Sequence, residues 1–288
     1  MSLWLCTEAL AAPVSVIDDT GLRVTLPASA RRVISLAPHA TELLFAAGAG
    51  AKVIAATAYS DFPPAAEKLP RVGGYHALDL ERIIALKPDL VVGWASGNPS
   101  PQLDRLRALG IPVYLSEPRE FETIATNLER LGTLTGNPQA GHSAASTLRD
   151  GLASLRSRFA QRAPVKVFYQ VWSDPLQTLN GKHMVSGVLS LCGGQNVFAS
   201  LGPIAPTVTH EAVLATAPEA ILTGREPATD KGSLEGWKRW PQLPAVRFQN
   251  LIYVSGDELN RPGPRILAGA NEVCTALDQA RARMAQAR

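Results

Sequence analysis

Two stretches of the chain carry the same order of apolar and polar positions at an offset of 130 residues. Residues 81–92 read Glu-Arg-Ile-Ile-Ala-Leu-Lys-Pro-Asp-Leu-Val-Val, and residues 211–222 read Glu-Ala-Val-Leu-Ala-Thr-Ala-Pro-Glu-Ala-Ile-Leu. Each pattern predicts a short helix that stops at a proline, Pro88 or Pro218, because proline lacks an N–H and disfavours helix in the residue before it. The apolar run that follows does not alternate, which is typical of a strand covered on both faces of a parallel sheet.

Further matching segments keep the same order in the two halves. A predicted helix end is followed by a glycine in each half, Gly48 or Gly193, which suits the left-handed position after a helix. The next strand is then predicted to begin near Val53 in the first half and Val197 in the second. The last matching pair of predicted strands is 112–116 and 251–255. Alternating strands and helices of this kind predict an α/β fold with two lobes and mostly parallel sheets.

The segment between the two halves predicts one long helix. Asn137 suits the N-cap and Pro138 the first helical position. An apolar stripe follows at helical spacing, formed by Ala144, Leu148, Leu152, Leu155 and Phe159. A helix over 137–161 would span roughly 37 Å at ~1.5 Å per residue and would join the lobes rigidly, with little hinge motion. The predicted divisions are a first lobe at 31–136, the helix at 137–162 and a second lobe at 163–288.

Composition narrows the classes of protein to consider. Apolar residues make up 46% of the 288-residue chain, enough for a substantial core. Charged residues are only 18% and the net charge is +3, and no run of Lys and Arg is interleaved with aromatics, so nucleic-acid binding is not expected. No apolar stretch is long enough to predict a membrane span. We expect a monomer.

The first residues and the cysteines indicate export from the cytosol. Residues 1–11 end in Ala-Leu-Ala, a small-x-small cleavage pattern, and resemble the tail of a truncated signal peptide; the alternative is a frayed cytosolic N-terminus. Cleavage would remove Cys6 and leave Cys192 and Cys274. An even pair in an oxidising compartment predicts one disulfide, and two buried free thiols are the alternative.

Catalytic patterns are missing from the sequence. It contains no Gly-x-Ser-x-Gly elbow, P-loop or His-Glu-x-x-His motif. The five histidines, at positions 39, 76, 142, 183 and 210, show no metal-ligand spacing, although a site built from three distant histidines stays open. Ser186 and His183 are close in sequence, and we interpret this as incidental. The expectation is therefore neither an enzyme nor a resident metal.

Aromatic residues are scarce, and several occur where loops should follow strands. Tyr59 follows a predicted strand and Tyr75 lies in a predicted loop, whereas Trp94 and Trp172 each end a predicted strand, Trp172 the first strand of the second half. In open α/β sheets, ligands bind beyond the carboxyl ends of the strands, so a large aromatic side chain there is a candidate ligand contact. The alternative for each residue is that it covers the core of its own lobe.

A series of motifs runs from about Arg32 to Leu277. They are Val33-Ile-Ser-Leu-Ala-Pro38, Thr41-Glu42-Leu43, Tyr59-Ser-Asp-Phe-Pro-Pro64, Leu80-Glu-Arg-Ile83, Lys87-Pro-Asp-Leu90, Trp94, Gly97-Asn98, Leu191-Cys-Gly-Gly194, Asn196-Val-Phe198, Arg261 and Pro264-Arg-Ile266. In these motifs the chain resembles the helical-backbone class of ABC-importer binding proteins, which serve cobalamin, haem and iron-siderophores, and within it most of all the cobalamin branch. The resemblance implies a periplasmic protein that captures cobalamin between its lobes and delivers it to a membrane permease.

The resemblance implies specific ligand contacts. Carried over position by position, they are Tyr59, Tyr75, Trp94, Trp172 and Arg261. In the family such aromatics hold the corrin ring largely through packing. Cobalamin is thus expected as the transported ligand and not as a catalytic cofactor.

Two positions depart from the family pattern. A tryptophan usual in the first lobe is Tyr75 here, and another in the second lobe aligns with Ala205. Tyr75 also falls where haem-binding relatives carry an axial tyrosine, so haem with Tyr75 as iron ligand is the alternative ligand, alongside an iron-siderophore. An enzyme with an active site between two lobes is a third, more distant alternative.

The repeat also places one glutamate at the start of a predicted helix in each lobe, Glu81 and Glu211. A carboxylate at a helix N-terminus is favourable in its own right, so both can be ordinary helix-start acids. In the resembled family, glutamates at these positions dock onto arginines of the membrane subunits. The resemblance therefore implies that Glu81 and Glu211 form a matched pair of permease contacts.

Overall fold

The structure, a computed structural model, describes residues 12–225 and 234–287. The predicted signal segment 1–11, with Cys6, lies outside the described residues. Contacts divide the chain into two compact units. The first unit contains the described residues up to Glu117 together with Thr126–Ala145, and the second contains Pro118–Ala125 and the residues from Ser146 onward.

The helices and strands alternate along the chain. The elements up to the unit boundary are β1 Val14–Ile17, β2 Arg23–Leu26, β3 Val33–Ser35, α1 Pro38–Ala46, β4 Val53–Ala56, α2 Pro64–Glu67, β5 Gly73–Gly74, β6 Ala77–Leu78, α3 Leu80–Ala85, β7 Leu90–Trp94, α4 Ser100–Ala108, β8 Val113–Ser116, α5 Phe121–Leu134 and α6 Pro138–Phe159. The later elements are β9 Val165–Gln170, β10 Trp172–Ser173, β11 Leu176–Gln177, α7 Met184–Leu191, β12 Gly194–Asn196, α8 His210–Thr216, β13 Ala220–Arg225, α9 Pro244–Arg247, β14 Leu251–Ser255, α10 Gly256–Asn260 and α11 Ile266–Gln286. Short 3-10 turns add Gly50–Lys52 and Glu235–Arg239.

Each unit is built on a four-stranded sheet, and the two sheets have the same strand order. The first sheet runs β4-β3-β7-β8 and the second β12-β9-β13-β14, so the first and third strands of each half lie side by side in the centre. Every pairing within these two sheets is parallel. The predicted α/β fold with two parallel sheets, and the internal repeat on which that prediction rested, are confirmed.

The helix ends of the two halves match as well. Helices α1 and α7 are each followed by a glycine with positive φ, Gly48 at 79° and Gly193 at 70°. Before the repeated prolines, Lys87 and Ala217 also adopt the left-handed conformation, with φ of 47° and 45°. The prediction of a strand starting near Val197 is wrong. The strand begins directly after Gly193 and ends at Asn196, and its three residues pair with the first three residues of β9.

The sheet of the first unit is buried on both faces. All residues of β3 and β8 are buried, as are the first four of β7. A core cluster of the first unit comprises Ile34, Leu36, Ala55, Val72, Leu78, Ile83, Val91, Leu103, Leu106, Val113 and Leu115. A core cluster of the second unit comprises Phe168, Leu176, Phe198, Val213, Ile221, Leu234, Trp237, Leu243 and Ala245. Continuous burial along β3, β7 and β8 explains why their sequences show apolar runs and no alternation.

The long helix predicted over 137–161 is present as α6. It has 22 residues and crosses from the first unit into the second after Ala145. Helix α5 also contributes residues to both units, which the sequence pattern did not indicate. Within the part of the chain described, no helix combines the length and the apolar character needed to cross a membrane.

One histidine is enclosed within the first unit. His39 lies in the first turn of α1 and is 3% exposed, and its Nε2 atom has no hydrogen-bond partner. Its ring packs edge-on against Trp94, with the centroids 5.5 Å apart. Burial lowers the pKa of His39 from 6.5 to about 4. The imidazole is therefore neutral at neutral pH in the folded protein.

The buried His39 should make stability depend on pH. Between about pH 4 and 6.5 the unfolded chain binds a proton on His39 that the folded protein does not, so the unfolding free energy should fall as pH falls through this window. The contribution should reach up to about 3 kcal/mol at the acidic end. We predict that His39→Phe, which keeps an aromatic edge against Trp94, flattens the pH dependence measured by urea unfolding at pH 5 and pH 7.

His142→Gln is the matched control, because the side chain of His142 is 75% exposed. The pKa of His183 is also lowered by burial, but this contribution is common to all the proteins compared. An unchanged pH slope in His39→Phe would contradict the assignment of a neutral, buried His39.

The predicted disulfide between Cys192 and Cys274 is present. Cys192 follows α7 and Cys274 lies within α11, and both are fully buried. The bond joins two helices of the second unit that are 82 residues apart in the chain. A crosslink over such a long loop restricts the unfolded chain strongly.

We predict that the double variant Cys192→Ala/Cys274→Ala loses stability. The chain-entropy relation gives a loss of about 4.5 kcal/mol in unfolding free energy for a loop of this length. Urea unfolding of the variant and of the oxidised protein measures the difference. Reduced and alkylated wild-type protein serves as the control and should resemble the variant. Two freely alkylated cysteines in unreduced protein, detected by mass spectrometry, would overturn the assignment.

Candidate ligand-binding site

Two of the predicted ligand contacts of the first unit, Tyr75 and Trp94, lie side by side. Trp94 is the last residue of β7, and Tyr75 lies in the turn between β5 and β6. Their ring centroids are 5.7 Å apart and the rings are inclined by 47°. Tyr75 also packs edge-on against His76 at 4.1 Å. Both Tyr75 and Trp94 are half-buried, so each ring keeps an accessible portion beyond the strand ends.

The turn that carries Tyr75 has a fixed backbone. Gly73 has φ of +92°, and a Cβ atom there would lie 2.3 Å from the carbonyl oxygen of Ala77, so only glycine fits. Behind the turn, the side chain of Gln102 accepts from the N–H of Leu78 at 3.0 Å and donates to its carbonyl at 3.1 Å. These contacts hold the hairpin and so determine where Tyr75 lies.

The loop after Trp94 is shaped around the indole ring. A Cβ atom on Gly97 would lie 2.0 Å from Cε3 of Trp94, so the ring lies directly against the backbone of this glycine. The indole also contacts the ring of His39. Glu117, just after β8, accepts from the N–H and the hydroxyl of Ser96 at 2.9 and 3.0 Å. Sequence reasoning missed Glu117, since nothing in its local sequence links it to Ser96.

Tyr59 lies beyond β4 and is the most exposed of the predicted contacts, with 70% of its surface accessible. Its φ is 64°, in the left-handed region. The turn is tied down on both sides: the N–H of Ala58 donates to the carbonyl of Gly73 at 2.8 Å, and the hydroxyl of Ser60 pairs with that of Thr41 at 3.0 Å. A firmly held backbone therefore presents an exposed aromatic ring.

Trp172 lies in the second unit and is 56% exposed. The sequence predicted that it ends the first strand of this half, and this is wrong. Strand β9 ends at Gln170, and Trp172 begins the separate strand β10, which pairs antiparallel with β11. The chain reverses through Asp174 and Pro175, so Trp172 lies in a small hairpin beyond the carboxyl end of β9.

Two further apolar side chains of the second unit are exposed, Val171 at 39% and Ile204 at 54%. The N–H of Val171 donates to the carbonyl of Gln177, and the N–H of Asn180 donates to the carbonyl of Ile204, both at 2.9 Å. The segment 176–180, which begins with β11, is therefore bonded to the backbones of both Val171 and Ile204. Sequence reasoning passed over both, although a large apolar residue in the proline-flanked loop 203–206 was an available signal.

Arg261 lies at the end of α10, the short helix that follows β14. Its guanidinium Nη2 is 3.1 Å from a carboxylate oxygen of Asp257, one turn earlier, and its side chain is 17% exposed. Strand β13 separates β14 from β9, so Arg261 and Trp172 lie beyond different strands of one sheet. In each unit the predicted ligand contacts therefore lie in segments that follow strand ends. That they contact one ligand stays a prediction.

Glu81 and Glu211 occupy the second position of α3 and α8, and both are exposed. The two helices begin in the same way, since the side chains of Asp79 and Thr209 accept hydrogen bonds from the third helical N–H. The pKa of Glu211 is lowered by hydrogen bonds from its own backbone N–H and from the side chain of Thr209. The repeat thus extends to the capping of these helices.

Within residues 12–225 and 234–287, no group of three or more His, Cys, Asp or Glu side chains is arranged to hold a metal ion. The neighbours Ser186 and His183 both make structural hydrogen bonds. The hydroxyl of Ser186 donates to the carbonyl of Asn180 at 2.7 Å, and Nδ1 of His183 accepts from the N–H of Val185 at 3.2 Å. Neither bond is that of a nucleophile with its base.

Comparison with known proteins identifies a family and similar structures. A family profile described as "Periplasmic binding protein" matches residues 33–257. The chain is 42% identical over 243 residues to the Vitamin B12-binding protein of Vibrio parahaemolyticus serotype O3:K6, covering 84% of this chain and 88% of that protein. The structure is similar, with a TM-score of 0.80 and 40% identity, to the periplasmic vitamin B12 binding protein BtuF of Vibrio cholerae, covering 88% of this chain and 98% of that one.

The same fold occurs in the periplasmic heme-binding protein RhuT from Roseiflexus sp. RS-1. The TM-score there is 0.77 at 24% identity, over 88% of this chain and 99% of that one, so the likeness concerns the fold alone. The family profile covers most of the chain, and the relatives align over most of their own length. This chain is a member of the periplasmic binding protein family.

Proposed function

We propose that this protein binds cobalamin in the periplasm and delivers it to the membrane subunits of an ABC importer. The observation that carries the proposal is the group of accessible aromatic rings beyond the strand ends, Tyr59, Tyr75, Trp94 and Trp172, in a chain 42% identical to a vitamin B12-binding protein. Binding without chemistry is in keeping with relatives that are named as binding proteins.

Covering the exposed rings would contribute to the binding free energy of a ligand. Large aromatic side chains are normally buried, and an exposed group of them is typical of a surface that meets a ligand. Tyr59 and Trp172 are 70% and 56% exposed in the free protein. An aromatic side chain buries roughly 150–250 Å² when enclosed, so covering half of one ring with the apolar face of a corrin would contribute roughly 2–3 kcal/mol.

The second unit also exposes an aliphatic side chain that a broad apolar ligand would cover. Where the family tryptophan aligns, this chain has Ala205, but the preceding residue Ile204 is exposed, and its loop is bonded to the same segment, 176–180, that pairs with Val171. We propose that Ile204 supplies part of the apolar contact that the missing tryptophan would make. Haem is the second candidate ligand, since Tyr75 offers a phenol oxygen that could bind iron.

A periplasmic location is proposed on two grounds. The family is that of periplasmic binding proteins, and the buried disulfide between Cys192 and Cys274 would persist in an oxidising compartment. The N-terminal segment 1–11 is proposed as the end of an export signal. We further propose that the protein acts as a monomer.

We predict that cobalamin binds with one molecule per protein and quenches tryptophan fluorescence. Trp94→Ala and Trp172→Ala should each weaken binding by roughly tenfold or more, because each removes a ring that the ligand would cover. Isothermal titration with cyanocobalamin measures the affinity and the stoichiometry. Trp240→Phe is the matched control, since Trp240 packs against Trp237 at 5.3 Å in the second unit and is not a proposed contact.

Titration with haem separates the two candidate ligands. Absence of heat and quenching with cobalamin, together with tight haem binding, would replace cobalamin by haem. Tyr75→Phe should then abolish the charge-transfer absorbance of the bound haem. If cobalamin is the ligand, the same variant should change the affinity only modestly, because the phenyl ring keeps its contact with Trp94.

Delivery to the importer is proposed to use Glu81 and Glu211. Both carboxylates are exposed, both are at equivalent positions of the repeat, and both follow capped helix starts. An importer with two equivalent membrane subunits would carry matched basic sites, so each unit of this protein can meet one of them. Interface charges mainly set the encounter rate and the register of a complex.

We predict that Glu81→Ala and Glu211→Ala leave cobalamin affinity unchanged and weaken docking. Loss of a buried charged partner costs about 2–5 kcal/mol at an interface, so the double variant should nearly abolish uptake. Ligand titration and transport into vesicles that contain the importer, measured side by side, check both parts.

Glu67→Ala is the control for charge removal, because Glu67 is an exposed glutamate at the end of α2. Normal uptake by the double variant would return Glu81 and Glu211 to the role of ordinary helix-start acids. Loss of ligand affinity in either single variant would instead make that glutamate part of the ligand site.

A further inference from the structure

One buried side chain connects the loops that carry the aromatic rings of the first unit. Asn98 is 5% exposed. Its Oδ1 accepts from the N–H of Trp94 at 2.7 Å, and its Nδ2 donates to the carbonyls of Tyr75 at 2.7 Å and Leu36 at 3.0 Å. A single amide group thus uses its acceptor and both its donors on three separate loops.

The three bonded groups all belong to the surroundings of the same pair of rings. Trp94 and Tyr75 carry the rings themselves. Leu36 follows β3 and leads into α1, where His39 packs against the indole of Trp94. The loop is closed further by the bond from the N–H of Asn98 to the carbonyl of Trp94 at 3.0 Å. Because these main-chain groups are held at one amide, the spacing of Tyr75 and Trp94 depends on its geometry.

We infer that Asn98 is the residue that positions Tyr75 and Trp94 for ligand binding. This inference rests on the proposed function for its ligand, cobalamin, but its structural part holds for the free protein. Asparagine is required because the site needs an acceptor and two donors on one short, rigid side chain. Gly93 leaves the room for it, since a Cβ atom there would lie 3.1 Å from Oδ1 of Asn98.

The decisive variant is Asn98→Asp, which keeps the shape and replaces the donor nitrogen by an oxygen that faces two carbonyls. Asn250→Asp is the matched control. Asn250 is fully buried, its Nδ2 donates to the carbonyl of Glu219 at 2.9 Å, and its Oδ1 accepts from Arg283 at 2.7 Å, just before β14 in the second unit. Both variants should unfold at lower temperature, so stability by itself does not distinguish them.

The free protein gives the first readout. The Trp94 contribution to near-ultraviolet circular dichroism, defined by subtraction of Trp94→Phe, should be lost in Asn98→Asp and retained in Asn250→Asp. In the wild type, the amide hydrogen of Trp94 should exchange slowly, because it is bonded to a buried oxygen. Rapid exchange of this amide, or an unchanged spectrum in Asn98→Asp, would overturn the inference.

Affinity gives the second readout. Asn98→Asp should weaken cobalamin binding by about tenfold, while Asn250→Asp should leave it unchanged. In a Trp94→Ala background the additional loss from Asn98→Asp should shrink to less than about threefold, since there is no indole left to position. Equal losses in both backgrounds would contradict positioning and indicate a general loss of structure.

Asn98→Ser is the second test variant, to be used if Asn98→Asp does not fold. A serine hydroxyl is too short to reach both carbonyls, so the same spectral change and loss of affinity are expected. Failure of the proposed function has a different signature, because wild-type protein would then bind no cobalamin while the spectrum and the amide exchange still report on Asn98.

Discussion

The pairing of the two central strands in each sheet begins at a carboxylate that bonds their amino ends together. Asp89 accepts from the N–H groups of Arg31 and Arg32, both at 2.9 Å, and its own N–H donates to the carbonyl of Arg32 at 3.0 Å. In the second unit the carboxylate of Glu219 accepts from one N–H, that of Lys166, at 2.9 Å, and the N–H of Glu219 donates to the carbonyl of Lys166 at 2.8 Å. These acids directly follow the repeated prolines. They pair the first and third strands of each half at their amino ends, where the register begins.

The register set at the amino ends of the strands determines which residues extend beyond the sheet at the carboxyl ends. In the first unit Val33 pairs with Leu90 and Ser35 with Val92, so β7 extends two residues past β3 and ends at Trp94. The indole therefore projects beyond the neighbouring strand. Buried polar side chains, Asn98 foremost, supply further hydrogen bonds to the backbone of the loops around it.

The two units share the same strand order and differ in their loops. In the first, hydroxyls of Ser35, Thr41 and Ser60 form a buried chain beneath the Tyr59 turn. In the second, Asn180 donates to the carbonyls of residues 201 and 202 and holds the loop that carries Ile204. The same strand order thus presents three aromatic rings in one unit and a tryptophan with two exposed aliphatic residues in the other, as expected when function lies in loops on a repeated fold.

The sequence by itself determined the repeat, the strand–helix alternation and the long helix, and it predicted the disulfide between Cys192 and Cys274 that the structure contains. The first three features follow from short-range chemistry, because proline and glycine end helices and apolar runs mark buried strands. It also indicated four aromatic residues near strand ends. It wrongly made Trp172 the end of the first strand of the second half, because the hairpin that contains Trp172 has strands of only two residues and leaves almost no periodic signal.

Only the tertiary structure decided which loops meet. The contact of Tyr75 with Trp94, the burial of His39 beneath it and the three bonds of Asn98 join segments that are distant in the chain. No local pattern encodes such contacts, because they depend on strand order and register. The pairing of parallel strands brings the loops to one edge, and the close packing there determines which side chain fills each place.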